Sequence, residues 1–127
     1  MPLSIFRHIL KSKIHRAQVT NCDLHYEGSI SIDSTLLELS DILPYEKVEI
    51  YNITNGERFA TYAIAAPPGK GDIQINGAGA HKATPGDLII IASYVSMAEE
   101  LIKSFKPKII KVNEKNQADP ERIGLEI

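Results

Sequence analysis

The most reactive candidate in the sequence is the Gly28-Ser29 peptide bond, within Tyr26-Glu27-Gly28-Ser29. Glycine leaves its carbonyl unshielded by a Cβ atom and tolerates strained backbone angles. The Ser29 hydroxyl is therefore able to attack the Gly28 carbonyl and turn the amide into an ester. β-Elimination from that ester would free residues 1–28 and leave a dehydroalanine, which hydrolyses to a pyruvoyl group. The alternative interpretation is a turn, because Gly-Ser is common in turns.

Cationic side chains occur on two predicted strands at spacings that suit the binding of a carboxylate. Lys13 and His15 lie two positions apart, so they share one face of an extended segment. Arg58 offers a two-pronged guanidinium, and Tyr62, four residues later, shares its strand face as a candidate proton donor. Thr61 points to the other face of that strand. The simpler alternative for each residue is a solvated position on an exposed strand.

A third candidate is the small, flexible segment 76–81, which begins with Asn76, Gly77 and Ala78. Its small residues allow a ligand to approach backbone N–H groups, but its spacing is not that of a dinucleotide-binding loop. The four histidines have no recurring metal-ligand spacing, so no metal site is predicted. Cys22 is the only cysteine and is expected to be a small buried thiol.

The bulk composition is that of an ordinary globular domain. The chain has 127 residues, 43% of them hydrophobic and 24% charged, with a net charge of -2. A single domain over residues 1–127 is predicted, and the lack of a basic field argues against nucleic-acid or anionic-membrane partners. The most apolar run, residues 88–97, is about half of the roughly 20 residues that a membrane-spanning helix needs. Charges interrupt the N-terminal segment, so a cytoplasmic protein is expected.

Alternating polarity and frequent turns predict a mainly β fold built from short strands. Asn55-Gly56 is a strong hairpin signal between two such strands. At the N-terminus, Ile5, Phe6, Ile9 and Leu10 suit a helix while residues 14–20 suit a strand, and a strand is favoured from about Lys11 onward. The other predicted strands cover residues 47–53, 58–66, 73–76, 88–92 and 108–112.

Two short helices complete the predicted domain, which is a compact barrel. Asp33 or Ser34 is expected to cap the first helix. Ser96 is expected to cap the second, over residues 98–105. The polar residues 113–127 are expected to form a loosely ordered tail.

Taken together, the motifs resemble one family, the pyruvoyl-dependent aspartate 1-decarboxylases of pantothenate biosynthesis. The resemblance covers roughly residues 6–107, in the family's order and spacing, and departs from it at Gly79 and at Pro67-Pro68. The blocks that carry it are Lys13-Ile14-His15-Arg16-Ala17, Val19-Thr20, Asp23-Leu24-His25-Tyr26-Glu27-Gly28-Ser29, Asn52-Ile53-Thr54-Asn55-Gly56, Arg58-Phe59, Thr61-Tyr62-Ala63-Ile64, Asn76-Gly77-Ala78, Ala80-His81, Gly86-Asp87 and Ile91-Ala92-Ser93.

The resemblance implies a mechanism. Autocatalytic cleavage between Gly28 and Ser29 would give a β chain of residues 1–28 and an α chain of residues 29–127 that begins with a pyruvoyl group. This group replaces pyridoxal phosphate as the electron sink in converting L-aspartate to β-alanine and CO2, with no metal. By the same resemblance, Ser29 and Tyr62 are catalytic, Thr61 polarises the Gly28 carbonyl, Lys13 and Arg58 bind substrate carboxylates in an order left open, and Tyr26, Asn76, Gly77 and Ala78 line the pocket.

The resemblance also implies a double-psi β-barrel that assembles as a homotetramer with active sites between subunits. Whether a maturation factor triggers cleavage is left open. Two other functions are considered. A serine hydrolase would use Ser29 with His81 or His25, although the usual nucleophile elbow is missing. A non-catalytic barrel would serve as a ligand-binding or assembly module.

Overall fold

The computed structural model describes residues 3–119, which form eight strands and short helices. The strands are β1 (Phe6–Gln18), β2 (Asn21–Asp23), β3 (Ser29–Asp33), β4 (Lys47–Asn52), β5 (Arg58–Ala66), β6 (Ile73–Asn76), β7 (Leu88–Ala98) and β8 (Lys108–Lys111). The helices are α1 (Ser34–Ser40), α2 (Glu99–Ile102) and a 3-10 helix (Gly77–His81). The predicted class, mainly β with short helices, is confirmed.

All eight strands belong to one sheet, in the order β2-β6-β3-β5-β4-β7-β1-β8. Strands that are distant in sequence are neighbours: β3 pairs in parallel with β5 and antiparallel with β6. Residues from both halves of the sheet enter one hydrophobic cluster, so the sheet wraps around a shared core. The largest fully buried side chains are mostly isoleucines: Ile14, Ile30, Ile32, Ile42, Ile50, Ile73, Ile75, Ile89, Ile91 and Ile110, with Leu36 and Val19.

The β3–β6 pair divides an apolar face from a polar one. Ile30 lies opposite Ile75, and these side chains are fully buried in the core. Because side chains alternate along a strand, the positions between them form the other face, where Ser29 lies opposite Asn76. The candidate nucleophile is thus fixed on a strand whose register the hydrophobic core sets.

The β1–β7 pair is longer than the sequence indicates. It runs from Phe6 opposite Ala98 to Gln18 opposite Leu88. The N-terminal strand therefore starts well before Lys11, and β7 continues beyond residue 92.

Extension of β7 also corrects the prediction for the second helix. Ser96 lies inside the strand, opposite His8, and does not cap a helix. The helix α2 covers only Glu99–Ile102, and its N-cap residue Ala98 makes no side-chain capping bond. The prediction over residues 98–105 was wrong because cross-strand pairing with β1 extends the chain where local pattern favours a helix.

Asp33 confirms the first of the two alternatives for the α1 cap. Its carboxylate accepts hydrogen bonds from the backbone N–H groups of Thr35 (2.8 Å), Gly71 (2.7 Å) and Gly69 (3.0 Å). One side chain therefore caps α1 and anchors the loop before β6. Burial acts to raise the pKa of Asp33, but the bonds from Gly71, Thr35 and Gly69 outweigh it and lower that pKa below its usual value.

Part of the predicted tail packs against the rest of the fold. The Asn116 side chain is 3% exposed. It donates to the backbone oxygens of Gln18 and Gly71, both at 2.8 Å, and accepts from the Gln18 N–H at 2.7 Å. Residues 120–127 of the predicted tail lie outside the described residues.

The substitution Asp33→Asn is expected to lower the free energy of unfolding by about 1–3 kcal/mol at neutral pH, because an amide replaces a carboxylate that accepts three backbone bonds. The folded-state pKa of Asp33 is depressed, so its stabilisation is present above the unfolded pKa and is lost as pH falls through the folded pKa. Urea denaturation should show the deficit shrinking on acidification. Glu38→Gln, on the exposed side of α1, is the control; a deficit independent of pH would contradict the assignment.

Candidate active site

Ser29 is the first residue of β3 and is 1% exposed. Its Oγ donates to the Glu27 backbone oxygen at 3.1 Å and accepts from Asn76 Nδ2 at 2.9 Å. Both bonds arise where the loop after β2 enters the sheet beside β6. The hydroxyl is thus held by two polar contacts next to the carbonyl group of Gly28.

Two glycines shape the backbone around this hydroxyl, for different reasons. Gly77 has a φ of +71°, and a Cβ there would lie 2.7 Å from Gly28 Cα and 3.1 Å from the Tyr26 oxygen. No other residue fits at Gly77, because the 3-10 helix packs directly on the candidate cleavage site. A Cβ on Gly28 would meet no heavy atom within 4 Å. Packing therefore does not explain the glycine at position 28.

A cavity of about 420 Å³ opens beside the Gly28-Ser29 bond. The structure brings together at this cavity most of the site residues predicted from sequence. It is lined by Gly28, Ser29, Phe59, Ala60, Thr61, Tyr62, Asn76, Ala78, Gly79 and Lys82. A second cavity, of about 410 Å³, adjoins Ser29 and Tyr62 on another side and is lined also by Tyr26, Glu27, Pro44, Tyr45, Ile64 and Ala65.

Tyr62 reaches both cavities because of strand register. Parallel pairing of β3 with β5 sets Ile30 beside Ala63, so the preceding residues, Ser29 and Tyr62, are neighbours. The Tyr62 ring lies 6.5 Å from the ring of Tyr45, between centroids, and its side chain is 36% exposed. A phenol adjacent to the candidate nucleophile and open to solvent is suited to transfer a proton.

Lys13 and Arg58 lie elsewhere. Within the described residues 3–119, neither lines the two cavities beside Ser29. Lys13 and His15 share a half-buried face of β1, as predicted, and lie near Lys111 on β8. Burial and then the charge of Lys111 lower the pKa of Lys13. Burial followed by the nearby cations likewise lowers the pKa of His15.

Arg58 belongs to an aromatic cluster that the sequence interpretation missed. Its guanidinium carbon lies 4.1 Å from the centroid of the Tyr51 ring, and the Tyr51 hydroxyl is 2.8 Å from that of Tyr94. The hydrogen bond with Tyr51, followed by burial and the charges of Tyr51 and Glu49, raises the pKa of Tyr94 to about 12. The register of the hairpin could have indicated this cluster from sequence, since Tyr51 lies opposite Arg58 across Asn55-Gly56.

The tyrosine pair borders a separate groove of about 390 Å³ on the β1–β7–β4 part of the sheet. Six of its seven lining residues have polar side chains: it is lined by His8, Lys47, Glu49, Tyr51, Ala92, Tyr94 and Ser96. The sequence interpretation also missed Lys82, which lines the first cavity beside Ser29. Its ammonium group forms an exposed ion pair with Glu57 at 3.1 Å.

The histidines proposed for a serine hydrolase are not at the nucleophile. Among the residues that line the two Ser29 cavities, neither His25 nor His81 occurs, and both are exposed.

Cys22 is half-buried rather than fully buried, and its thiol donates to the Ala83 oxygen at 3.4 Å. Burial raises the pKa of this thiol.

Metal-ligating side chains are not clustered in residues 3–119. No group of three or more His, Cys, Asp or Glu side chains in this part of the chain is arranged to hold a metal ion. No helix in the same residues has the length and hydropathy needed to cross a membrane.

Several known proteins are similar to this chain. An aspartate 1-decarboxylase from Syntrophus aciditrophicus (strain SB) is 59% identical over 111 residues, 87% of this chain and 96% of the relative. One from Legionella pneumophila (strain Paris) is 52% identical over 123 residues, 94% of this chain and 92% of the relative. The crystal structure of the rationally designed protein mkDPBB_sym_86 aligns with a TM-score of 0.46 and 12% identity, covering 64% of this chain and 94% of that protein.

The family model described as aspartate decarboxylase matches residues 5–119. This range contains both cavities, the Gly28-Ser29 bond, Lys13 and the Arg58 cluster. The match and the identity to curated relatives over most of their length assign the chain: it belongs to the aspartate decarboxylase family.

Proposed function

We propose that this protein is a self-processing enzyme that decarboxylates L-aspartate to β-alanine and CO2, for pantothenate biosynthesis. The observation that carries the proposal is a buried Ser29 hydroxyl, held by Asn76 beside an unshielded Gly28 carbonyl and open to the cavity that Tyr62 lines. Family membership supplies the reaction, since the curated relatives are named aspartate 1-decarboxylases.

The first stage is cleavage of the chain by its own residues. Ser29 Oγ attacks the Gly28 carbonyl carbon, the C–N bond breaks, and the Ser29 amine is freed as an ester forms. Loss of the Ser29 Cα proton then breaks the Cβ–Oγ bond, and Oγ leaves within the Gly28 carboxylate. Water hydrolyses the resulting dehydroalanine to a pyruvoyl group with release of ammonia. Thr61, at the same cavity, is proposed to polarise the Gly28 carbonyl.

The residues around position 29 suit a carbonyl group. Asn76 Nδ2 is a donor already directed at the Ser29 side chain, and the small residue Ala78 lines the cavity beside it. Gly77 does not line this cavity but packs directly against Gly28. When present, a pyruvoyl group supplies an electron-accepting carbonyl that takes up the electrons released with CO2. The reaction is therefore proposed to need neither a metal nor pyridoxal phosphate.

Tyr62 and Tyr26 are proposed to act on the bound substrate. Tyr62 lines both cavities at Ser29, so its hydroxyl is the proposed donor of a proton to the substrate Cα. Tyr26 borders the second cavity as a pocket residue. A cytoplasmic location is proposed, in keeping with the free thiol of Cys22.

Lys13 and Arg58 are proposed to bind the substrate carboxylates, and the geometry of one chain suggests how. Both lie away from the cavities that adjoin Ser29 in the same chain. A homotetramer with active sites between subunits would allow them to come from a neighbouring copy. Each charge-assisted bond contributes about 1.5–3 kcal/mol, enough to select aspartate over an uncharged amino acid. Which carboxylate each residue binds is left open.

Replacement Ser29→Ala is expected to leave one intact chain with no decarboxylase activity, because the nucleophile and the source of the carbonyl are both lost. Intact-mass measurement of the purified wild type should give two fragments, corresponding to residues 1–28 and 29–127. The control is Ser104→Ala, which replaces an exposed serine after α2 and should leave cleavage unchanged. Incubating any intact wild-type chain with cell lysate reveals a requirement for a maturation factor. Release of CO2 from aspartate by the Ser29→Ala protein would exclude the mechanism.

Replacement Tyr62→Phe is expected to permit cleavage but to lower kcat by at least about tenfold, because the ring remains while the proton donor is removed. Cleavage is followed by mass and turnover by β-alanine formation per cleaved chain. The matched control is Tyr45→Phe, the same change in the neighbouring ring. Wild-type kcat in the Tyr62→Phe protein would remove Tyr62 from the chemistry.

Sites shared between subunits predict complementation between two inactive variants. Ser29→Ala and Arg58→Gln chains, each with little activity alone, should regain activity when coexpressed and purified as mixed assemblies through two different tags. In a mixed site, one chain supplies the carbonyl and the other supplies the guanidinium. If the mixed assemblies form but stay inactive, Arg58 does not serve a neighbouring copy.

A further inference from the structure

Five consecutive hydrogen bonds run from the surface to the Ser29 hydroxyl and on to the Glu27 backbone, and all five point in the same donor-to-acceptor direction. The Cys22 N–H donates to Asn21 Oδ1 at 2.9 Å, and Asn21 Nδ2 donates to Gln74 Oε1 at 3.0 Å. Gln74 Nε2 donates to Asn76 Oδ1 at 2.7 Å, and Asn76 Nδ2 donates to Ser29 Oγ at 2.9 Å.

The fifth bond runs from Ser29 Oγ to the Glu27 backbone oxygen at 3.1 Å. Both ends of the series are therefore backbone groups. The Cys22 N–H can only donate and the Glu27 oxygen can only accept. A side-chain amide can turn over and exchange its donor and acceptor ends. Here, reversing any one of the three amides would leave two donors or two acceptors facing each other, so the fixed ends determine the direction of every link.

Strand register places these residues next to one another. Asn21 on β2 is the parallel partner of Gln74 on β6. Gln74 and Asn76 lie two residues apart on one face of β6, and Asn76 is the antiparallel partner of Ser29 on β3. Burial increases along the series, from the exposed Asn21 through the half-buried Gln74 to Asn76 and Ser29, each 1% exposed.

The chemistry of cleavage explains why the direction matters. Ser29 Oγ carries developing negative charge when its proton is lost, and it leaves as part of the Gly28 carboxylate during elimination. An N–H donor on Oγ stabilises the negative charge that this oxygen carries in both steps. A carbonyl oxygen in the same place would destabilise that charge. A half-buried series of aligned bonds also strengthens each donor along it.

We infer that Gln74 and Asn21 are positioning residues for self-cleavage, which hold the Asn76 amide with its N–H group toward Ser29. The inference rests on the proposed function and extends it to residues outside the cavity. Ser31, whose Oγ accepts from Asn76 Nδ2 at 3.0 Å, uses the second N–H of the same amide and keeps the donor end on this side.

The test reverses the series from its exposed end. In Asn21→Asp, the carboxylate still accepts from the Cys22 N–H but presents an acceptor to Gln74. The Gln74 amide then turns over to donate to Asp, the Asn76 amide follows, and its oxygen faces Ser29. Cleavage of freshly synthesised full-length chain, followed by intact mass at neutral pH, is expected to slow about tenfold or more.

Asn21→Ala separates this mechanism from a merely structural effect. Alanine removes the outer donor without presenting an acceptor, so its cleavage should be less impaired than that of Asn21→Asp. In a Gln74→Leu background, the link to Asn76 is broken, so changing Asn21 to Asp should have no further effect on the rate. Gln117→Glu, exposed and outside the series, controls for the added charge, and melting temperatures control for folding.

The outcomes are distinct. If wild-type chain cleaves neither alone nor after incubation with cell lysate, the proposed function fails. If wild type cleaves and Asn21→Asp matches its rate, or matches Asn21→Ala, the positioning role is overturned. That role is also overturned if Asn21→Asp slows cleavage equally with and without Gln74.

Discussion

The arrangement of this protein depends on the pairing of β3 with β6 on one side and β5 on the other. Alternation along β3 sends Ile30 and Ile32 into the core and leaves Ser29 on the opposite face. The hydrophobic core thus sets the register of the strand that carries the candidate nucleophile. A slip of one residue would bury a hydroxyl among isoleucines and expose their side chains, so the free energy that stabilises the fold also fixes the position of Ser29.

The groups proposed to take part in the reaction fall into two sets. Ser29, Tyr62 and Asn76 meet at the cavities beside β3, while Arg58 stacks on the aromatic pair near a separate groove. Arg58 and Tyr62 lie on one strand, four residues apart, yet their side chains have different neighbours. Backbone positions are equally demanding: Gly77 packs against Gly28 with no room for a side chain. Side-chain chemistry and close backbone packing together define the candidate site.

Local signals were predictable from sequence, and non-local ones were not. The Gly28-Ser29 bond, the Asn55-Gly56 hairpin and the Asp33 cap are each encoded in adjacent residues. The failed cap at Ser96 reflects pairing with a strand about ninety positions earlier, which no local pattern encodes. The expectation of a double-psi barrel rested on family resemblance for the same reason. The amide series requires the β2–β6–β3 order, and that order appears only when distant strands are assembled.

The position of β1 bears on what scission would do to the molecule. This strand lies between β7 and β8, with eleven of its thirteen residues paired to β7, and it ends before the Gly28-Ser29 bond. The smaller product would therefore remain an internal component of the larger one, retained by ladder bonds and by Ile14 and Ala17 in the core. Released from these contacts, such a peptide would expose its core side chains and unpaired backbone groups to water. Assembly of the whole polypeptide would then have to precede the proposed cut, which would leave two pieces with the architecture of one.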